Sequence, residues 1–392
     1  MKYGFISFNI NPNDPSLPAG FITSTKKIKK VKGNLFGRLF VVNYLDKYVS
    51  FLSLDTLAIS KEIVSDFESI INKKYKGDVI CSATHTHYAP SLCNLYSKDD
   101  INQSYLKQVK ISLNNAIDKL VLEDGELYYG VNSSSFDKVG SSRLSSGNNN
   151  NIYVSVLSIF NKEQRIMNFL MYNCHPTISA ENADYLSPDL AGYSLELLKQ
   201  EFSDDNFIYY NGAGGDVSTR FIRKEKSYNE ALRLSDILKV KFKDLLIKNK
   251  PSNKVKITVN EKVYPINLEI KNIDFDKLNT EKLSEKEKRE IDTSKLVLKI
   301  LNNLKDTLET SMRFISVDFD GYKLIFNPFE LFSSYNELID KNKCYLVNYS
   351  LGYCGYLTRS DFHEITYEYI VERLSLDDKK LVERIISGED EI

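Results

Sequence analysis

The sequence predicts a layered α/β fold, with mixed β-sheets flanked by helices. Three features carry that reading. Short runs rich in β-branched and aromatic residues, bounded by turn residues, recur along the chain. Segments with apolar residues at helical spacing alternate with them. Several adjacent strands nevertheless read as antiparallel, so the sheets are mixed.

The elements follow in order. Residues 1–60 read as strands, FISFNI, RLFVVNYL and YVSFLSLD, with turns between them. From Ser60 to Lys74, Ile63, Phe67, Ile70 and Ile71 fall on one helical face, and the segment ends in basic residues and a glycine. GDVICSATHTH is a buried strand running into a loop, and residues 101–123 form a second amphipathic helix. Strands return over 126–172, interrupted by the polar SSGNNNN loop, with IYVSVLSIF and RIMNFLMYNC paired through Asn161-Lys162. A helix from about Asp189 to Phe202 precedes the strand NFIYYNG, and another covers 225–249. Residues 250–310 are rich in Lys and Glu and show no obvious cluster of site-forming residues. They read as a solvated helical insertion, or as an arm for a partner. FISVDFDGYKLIFNP supplies strands, followed by a helix near 329–341 and a strand near YLVNYS. The expectation is a single catalytic domain over 1–392 with that insertion.

Composition excludes several function classes. The chain has 392 residues and a net charge of -1, so no bulk field draws nucleic acid or an anionic membrane. No stretch approaches the roughly 18 apolar residues of a membrane helix. The start, MKYGFISFNINPND, lacks the basic and apolar pattern of a secretory signal. Cys81, Cys93, Cys174, Cys344 and Cys354 are odd in number and scattered, so reduced thiols and a cytoplasmic location are expected.

The chemistry concentrates in scarce histidines. Only His85, His87, His175 and His363 are present. His85 and His87 stand at i, i+2 after a strand; in an extended chain that puts both rings on one face. His175 follows the apolar FLMYNC run and precedes a proline. A lone histidine is more often a satisfied core residue, but three of four at strand ends point to a metal or catalytic site. A catalytic zinc takes about three protein ligands. Spacing does not name the others, because there are 53 acidic residues to choose among.

Asn211-Gly-Ala-Gly-Gly-Asp-Val-Ser218 follows the strand FIYY. Consecutive small residues let backbone N–H groups approach a ligand, and Ser218 is then a candidate nucleophile. The bland alternative is a glycine-rich turn with a capping hydroxyl. The lysine of a phosphate loop and the spacing of a dinucleotide fingerprint are both missing.

Taken together, these segments resemble the N-terminal catalytic domain of the neutral/alkaline non-lysosomal ceramidase family. GFISFNINPNDPSLPAGF, ATHTHYAPS, NCHPTIS, SPDLAGYSLELL, NGAGGDVSTRF, NPFELFSSYNEL and GYCGYLTRSDFHEITYE match that family's elements in order along most of the chain. The resemblance implies one Zn2+ held by His85, His175, Glu330 and Tyr356. It implies Ser218 as nucleophile and Tyr367 as donor to the oxyanion. His87 would line the site or contact substrate, Arg143 would face substrate, and Asp216 would fix the turn carrying Ser218. Tyr88-Ala89-Pro90, Thr219-Arg220 and Asn336-Glu337 depart from the family pattern. The family's C-terminal immunoglobulin-like domain is expected to be absent. These departures bear on the substrate, which is expected to be a small N-acyl compound, ceramide-like or smaller.

Three functions compete: a zinc amidohydrolase with a serine nucleophile, a metallo-esterase or lactonase in which water attacks, and a non-catalytic binding protein on the same fold. Loss of Ser218 separates the first two. Metal content and an open pocket separate both from the third.

Overall fold

The computed structural model describes residues 1–22, 24–97, 99–144, 151–275, 285–305 and 308–392. All of the SSGNNNN loop except Asn151 lies outside the described residues, as does part of the 250–310 segment.

The first sheet contains β1 (Lys2–Asn9), β2 (Phe36–Tyr44), β3 (Lys47–Leu54), β4 (Gly77–Ala83) and the short β5 (Glu123–Asp124), in the order β4-β3-β2-β1-β5. β1, β2 and β3 are antiparallel, and β3 pairs with β4 in parallel. Parallel neighbours need a crossover, here α1 (Lys61–Asn72). The second sheet contains β6 (Leu127–Ser135), β8 (Tyr153–Asn161), β9 (Gln164–Tyr172), β10 (Phe207–Asn211) and β12 (Asn253–Lys254), in the order β10-β9-β8-β6-β12. The hairpin between β8 and β9 turns at Lys162, whose φ is 54°. A third sheet is made of β13 (Thr258–Pro265), β14 (Ser311–Asp318), β15 (Lys323–Phe326) and β17 (Cys344–Val347). Two small pairs complete the set: β7 (Ser141–Ser142) with β11 (Val217–Ser218), and β16 (Phe329–Leu331) with β18 (Gly355–Leu357).

Strand alternation decides the layering. Leu39, Val41, Leu52 and Leu54 face outward onto α1 and α2 (Gln103–Lys119). Their neighbours Phe40, Val42, Val49 and Phe51 face inward onto Leu157, Ile159, Phe169 and Met171 of the second sheet. The far face of that sheet, with Val154, Val156, Leu170 and Tyr172, packs on α3 (Asp189–Glu201) and α4 (Tyr228–Lys248). The result is helices, sheet, sheet, helices. All three large sheets meet at an aromatic knot. The Phe51 ring lies 5.1 Å from Phe169, Phe169 stacks 5.7 Å from Tyr210, and Tyr210 meets Phe326 at 5.4 Å.

The structure corrects two sequence expectations. The helix near 329–341 is instead β16 followed by a 3₁₀ turn, Ser333–Glu337. The backbone there is taken by other partners: Leu331 O accepts from Gly215 N–H, and Phe332 N–H donates to Leu357 O. A helix would forfeit both bonds. The 250–310 segment is also not wholly helical. β13 pairs along its full length with β14, and among the described residues there the α-helix is α5 (Glu285–Leu304). Two helices the sequence reading did not place close the chain, α6 (Tyr367–Val371) and α7 (Leu376–Ser387). α7 is capped by the Ser375 side chain and ends at Gly388 with φ 83°. All five cysteines are buried free thiols. Among the described residues no helix is long and apolar enough to cross a membrane.

Because Phe51 joins the sheets, Phe51→Ala is expected to lower unfolding free energy by about 3–5 kcal/mol. Val121, 75% exposed, marks the other extreme, and Val121→Ala is expected within about 0.5 kcal/mol of the parent. Denaturant titration of both variants checks the contrast.

Candidate active site

Four separate chain segments deliver the site. β4 ends at Ala83 and the chain turns sharply, with φ 64° at His85. The rings of His85 and His87 were expected to align through an extended backbone. The left-handed residue instead sets them at 88°, with centroids 5.0 Å apart. His175 follows β9 and bridges to Ser218, its N–H donating to Val217 O at 3.0 Å. Glu330 and Tyr356 are direct partners in the parallel β16–β18 pair, so one sheet register fixes both.

The glycine run explains how these segments come so close. A Cβ on Gly214 would stand 2.6 Å from Asn173 O, and one on Gly215 would stand 2.5 Å from Glu330 O. The small residues therefore admit neighbouring backbone, where the sequence reading had them admitting a ligand. Asp216 locks the turn, accepting from Ser333 N–H at 2.6 Å and from the Ser333 and Ser142 hydroxyls at 2.8 and 3.3 Å.

His85, His175 and Glu330 are buried and offer ligand atoms within 4.8 Å of one another. Nε2 of His175 lies 3.0 Å from Glu330 Oε2, and Nε2 of His85 lies 3.4 Å from the same oxygen. Tyr356 OH is 3.4 Å from His175 Nε2. The far ring nitrogens face acceptors: His85 Nδ1 donates to Leu57 O at 2.8 Å, and His175 Nδ1 to Gly214 O and Val217 O at 3.1 Å. Carbonyl acceptors on Nδ1 fix the tautomer and leave each Nε2 with a lone pair. Two lone pairs and a carboxylate thus converge in a buried space, and His85 Nε2 has no hydrogen-bond partner. A divalent cation fits this donor set. Burial works against the charge on Glu330, yet His85 and His175 hold its carboxyl well below the usual carboxylate range. Burial pushes the His175 imidazole down, against the pull of Glu330. Burial thus favours the neutral, ligating imidazole of His175, and the depression of Glu330 is the pull of positive charge at this spot, a charge that a bound cation would supply.

Residues the sequence reading did not single out complete the seat. Tyr349 stacks on His85, with centroids 3.8 Å apart, and donates to Glu330 Oε2 at 3.3 Å. Tyr353 OH donates to Glu330 Oε1. The run of tyrosines around LGYCGY was visible, but nothing in it told ligand from support.

The site opens on a cavity of about 700 Å³ whose walls include His85, His87, Glu330, Tyr356, Tyr367 and Arg143. The Tyr367 ring stands perpendicular to that of Tyr356, with centroids 6.1 Å apart. His87 donates through Nδ1 to Gly20 O at 3.0 Å and keeps a buried Nε2 without a partner. Arg143 pairs with Glu368 at 2.9 Å and donates to Gly215 O. Ser218 is buried beside His175, but it is not on the cavity wall, and its Oγ accepts from Arg220 N–H at 3.3 Å. His363 is exposed and outside this group. The charged 250–310 segment, in whose sequence no cluster of site-forming residues is obvious, contributes to the wall: Arg289, Glu290, Thr293, Val297 and Leu301 of α5 line the cavity.

No protein-family model matches the sequence, and no curated protein matches it. Solved structures do match in shape. A ceramidase complexed with C2 superposes with a TM-score of 0.76 at 13% identity, covering 98% of this chain and 74% of that one. The neutral ceramidase from Pseudomonas aeruginosa gives 0.76 at 14% identity, covering 99% of this chain and 74% of that one. At such identity the likeness speaks to fold, and the mixed α/β fold of this chain is that of the neutral ceramidase structures.

Proposed function

We propose that the chain is a zinc-dependent amide hydrolase acting on small N-acyl compounds, ceramide-like or smaller. The convergence of His85, His175 and Glu330 on the wall of an open cavity carries this reading. The ceramidase-like fold supports the reaction class. His85, His175, Glu330 and Tyr356 hold the ion. Zinc there supplies Lewis acidity toward the scissile carbonyl.

The chain's own residues do the rest. Tyr367, on the same wall, donates its phenolic proton to the oxygen that gains charge; one such donor is worth roughly 3–4 kcal/mol in a transition state. His87, with Nδ1 held by Gly20, turns the Nε2 lone pair toward substrate. Arg143, neutralised by Glu368, holds the Gly215 carbonyl and with it the turn that carries Ser218. Ser218 Oγ attacks the carbonyl carbon while its proton passes to the amide nitrogen, the C–N bond breaks and the amine departs; water then adds to the acyl ester, one of its protons returning to Ser218 Oγ as the acid is released.

A second reading has water attack directly, as in a metallo-esterase or lactonase, with Ser218 supporting the turn. The position of Ser218 off the cavity wall, with Oγ engaged by Arg220 N–H, favours it. Ser218→Ala separates the two in kcat/KM measurements. A serine nucleophile predicts a fall of several orders of magnitude, and attacking water predicts about tenfold or less.

Purified protein is expected to hold about one zinc per chain by elemental analysis. His85→Ala is expected to lose both the metal and N-acyl amide turnover, and chelation of the parent protein to abolish turnover until zinc is restored. Unchanged metal content and turnover in His85→Ala would sink the proposal.

A further inference from the structure

Arg373 stands apart from the other cations of the cavity by being both buried and without an ion pair, since Lys226 and Arg289 on the same wall are exposed. It follows α6, reaches the wall shared by Tyr353 and Tyr356, and is only 9% exposed. Arg143 is balanced by Glu368 and Arg220 by Glu290. Among the described residues the Arg373 side chain has neither an ion pair nor a hydrogen bond, and its Nε is buried without a partner. Its contacts are Gly355 and the Tyr353 ring, whose centroid is 5.8 Å from Cζ. Glu309 acts on it through space, but the Glu309 carboxylate accepts from Lys61 N–H at 3.0 Å.

The seat for this guanidinium is built. A Cβ on Gly355 would lie 3.3 Å from Nε and 3.5 Å from Nη2, so any side chain there would crowd the group. Gly355 has φ 82° and pairs with Phe329, the residue before Glu330. The free cation is therefore fixed one strand position from the metal-ligating pair. A buried charge with no direct ion pair or hydrogen bond is costly to a fold, and such groups persist where a ligand completes them. The neighbouring wall, Leu95, Val297, Leu301 and Val371, is apolar and suits a short hydrocarbon chain.

We propose that Arg373 recognises a carboxylate on the substrate, which is then an anionic N-acyl compound with the carboxylate a few bonds from the scissile amide. A carboxylate meets a guanidinium through two parallel hydrogen bonds, a geometry that a hydroxyl does not match. The amide in this proposal rests on the hydrolase reading; the anion rests on Arg373 alone.

Three probes of similar size test it: hexanoylglycine, with the carboxylate on the amine half; the mono-N-butylamide of glutaric acid, with it on the acyl half; and neutral N-hexanoylethanolamine. Calorimetry on the zinc-loaded protein is expected to show tighter binding of one of the acids than of the neutral amide, and which acid identifies the half. Arg373→Gln is expected to reduce that preference about thirtyfold or more, the effect of losing a buried charge pair, and Arg373→Lys to keep part of it. The melting temperature of Arg373→Gln is expected to be no lower than that of the parent, because no direct ion pair or side-chain hydrogen bond is lost. Equal binding of all three probes, an unchanged preference in Arg373→Gln, or a marked loss of its stability overturns the inference. Acid-selective binding with no hydrolysis of any probe would count against the hydrolase reading and leave the role of Arg373 standing. Hydrolysis without acid selectivity would do the reverse.

Discussion

Glu330 is a carboxyl group, 2% exposed in the middle of a protein, that its histidine neighbours hold well below the usual carboxylate range. Such a charge survives only if its surroundings are arranged for it. Here the arrangement reaches across the chain. His85 comes from the end of β4, His175 from the end of β9, and Tyr349 and Tyr353 from the loop before β18. The strand that presents Glu330 is held on one side by Tyr356 and its neighbours, and on the other by the glycine turn. The two glycines that let this turn approach are thus part of the same constraint as the carboxylate. Loss of close packing at Gly215 would move Glu330 directly, because the clash is with its own carbonyl.

The cavity above this centre is shaped in part by helices that share no sheet with it. α5 lies over it, and its polar first half differs from its apolar second half. Arg289, Glu290 and Thr293 face the cavity from one end, and Val297 and Leu301 from the other. The apolar part packs on Ile370 and Val371 of α6, the helix that begins with Tyr367. Anchoring of α5 and placement of Tyr367 are therefore one packing event. A buried network supports the same corner: Glu372 takes Lys271, Lys379 and Thr358 at 2.9, 3.0 and 2.9 Å. Glu372 has direct partners on three sides while its neighbour Arg373, among the described residues, has no ion pair or side-chain hydrogen bond.

Much of the fold was legible because period and turn chemistry are local. β1 to β4, β8, β9, α1 and α4 fall where alternation, helical spacing and capping residues put them. Local pattern puts Glu330 on a helix because the bonds that keep its strand extended come from Gly215 and Leu357, far away in sequence. β13 looked like part of a charged helix because its side chains are largely exposed and its identity comes from pairing with β14. At the site, the histidines could be read from scarcity and position. The carboxylate could be named only through resemblance, and Tyr349, Tyr353, Arg373 and the α5 residues could not be read at all. Their roles depend on what lies across the cavity, which a one-dimensional pattern does not record.

Backbone strain follows the same geography. His85 and Tyr349, whose rings stack, both have left-handed φ, at 64° and 55°, and Leu351 follows at 64°. Such residues cost of order 1 kcal/mol or more each and persist where surrounding contacts over-determine them. Those contacts are present. Ala83 N–H donates to Tyr349 O and Leu351 N–H to Cys81 O, both at 2.9 Å, while the Ser82 and Ser350 hydroxyls meet at 2.7 Å. The end of β4 and the 349–351 segment are thus stitched together residue by residue. Relaxing either to an ordinary conformation would break the stack on His85 and release the hydroxyl that donates to Glu330. The strain has one structural effect: it holds a histidine lone pair and a carboxylate 3.4 Å apart in a buried space. That geometry fits a bound cation.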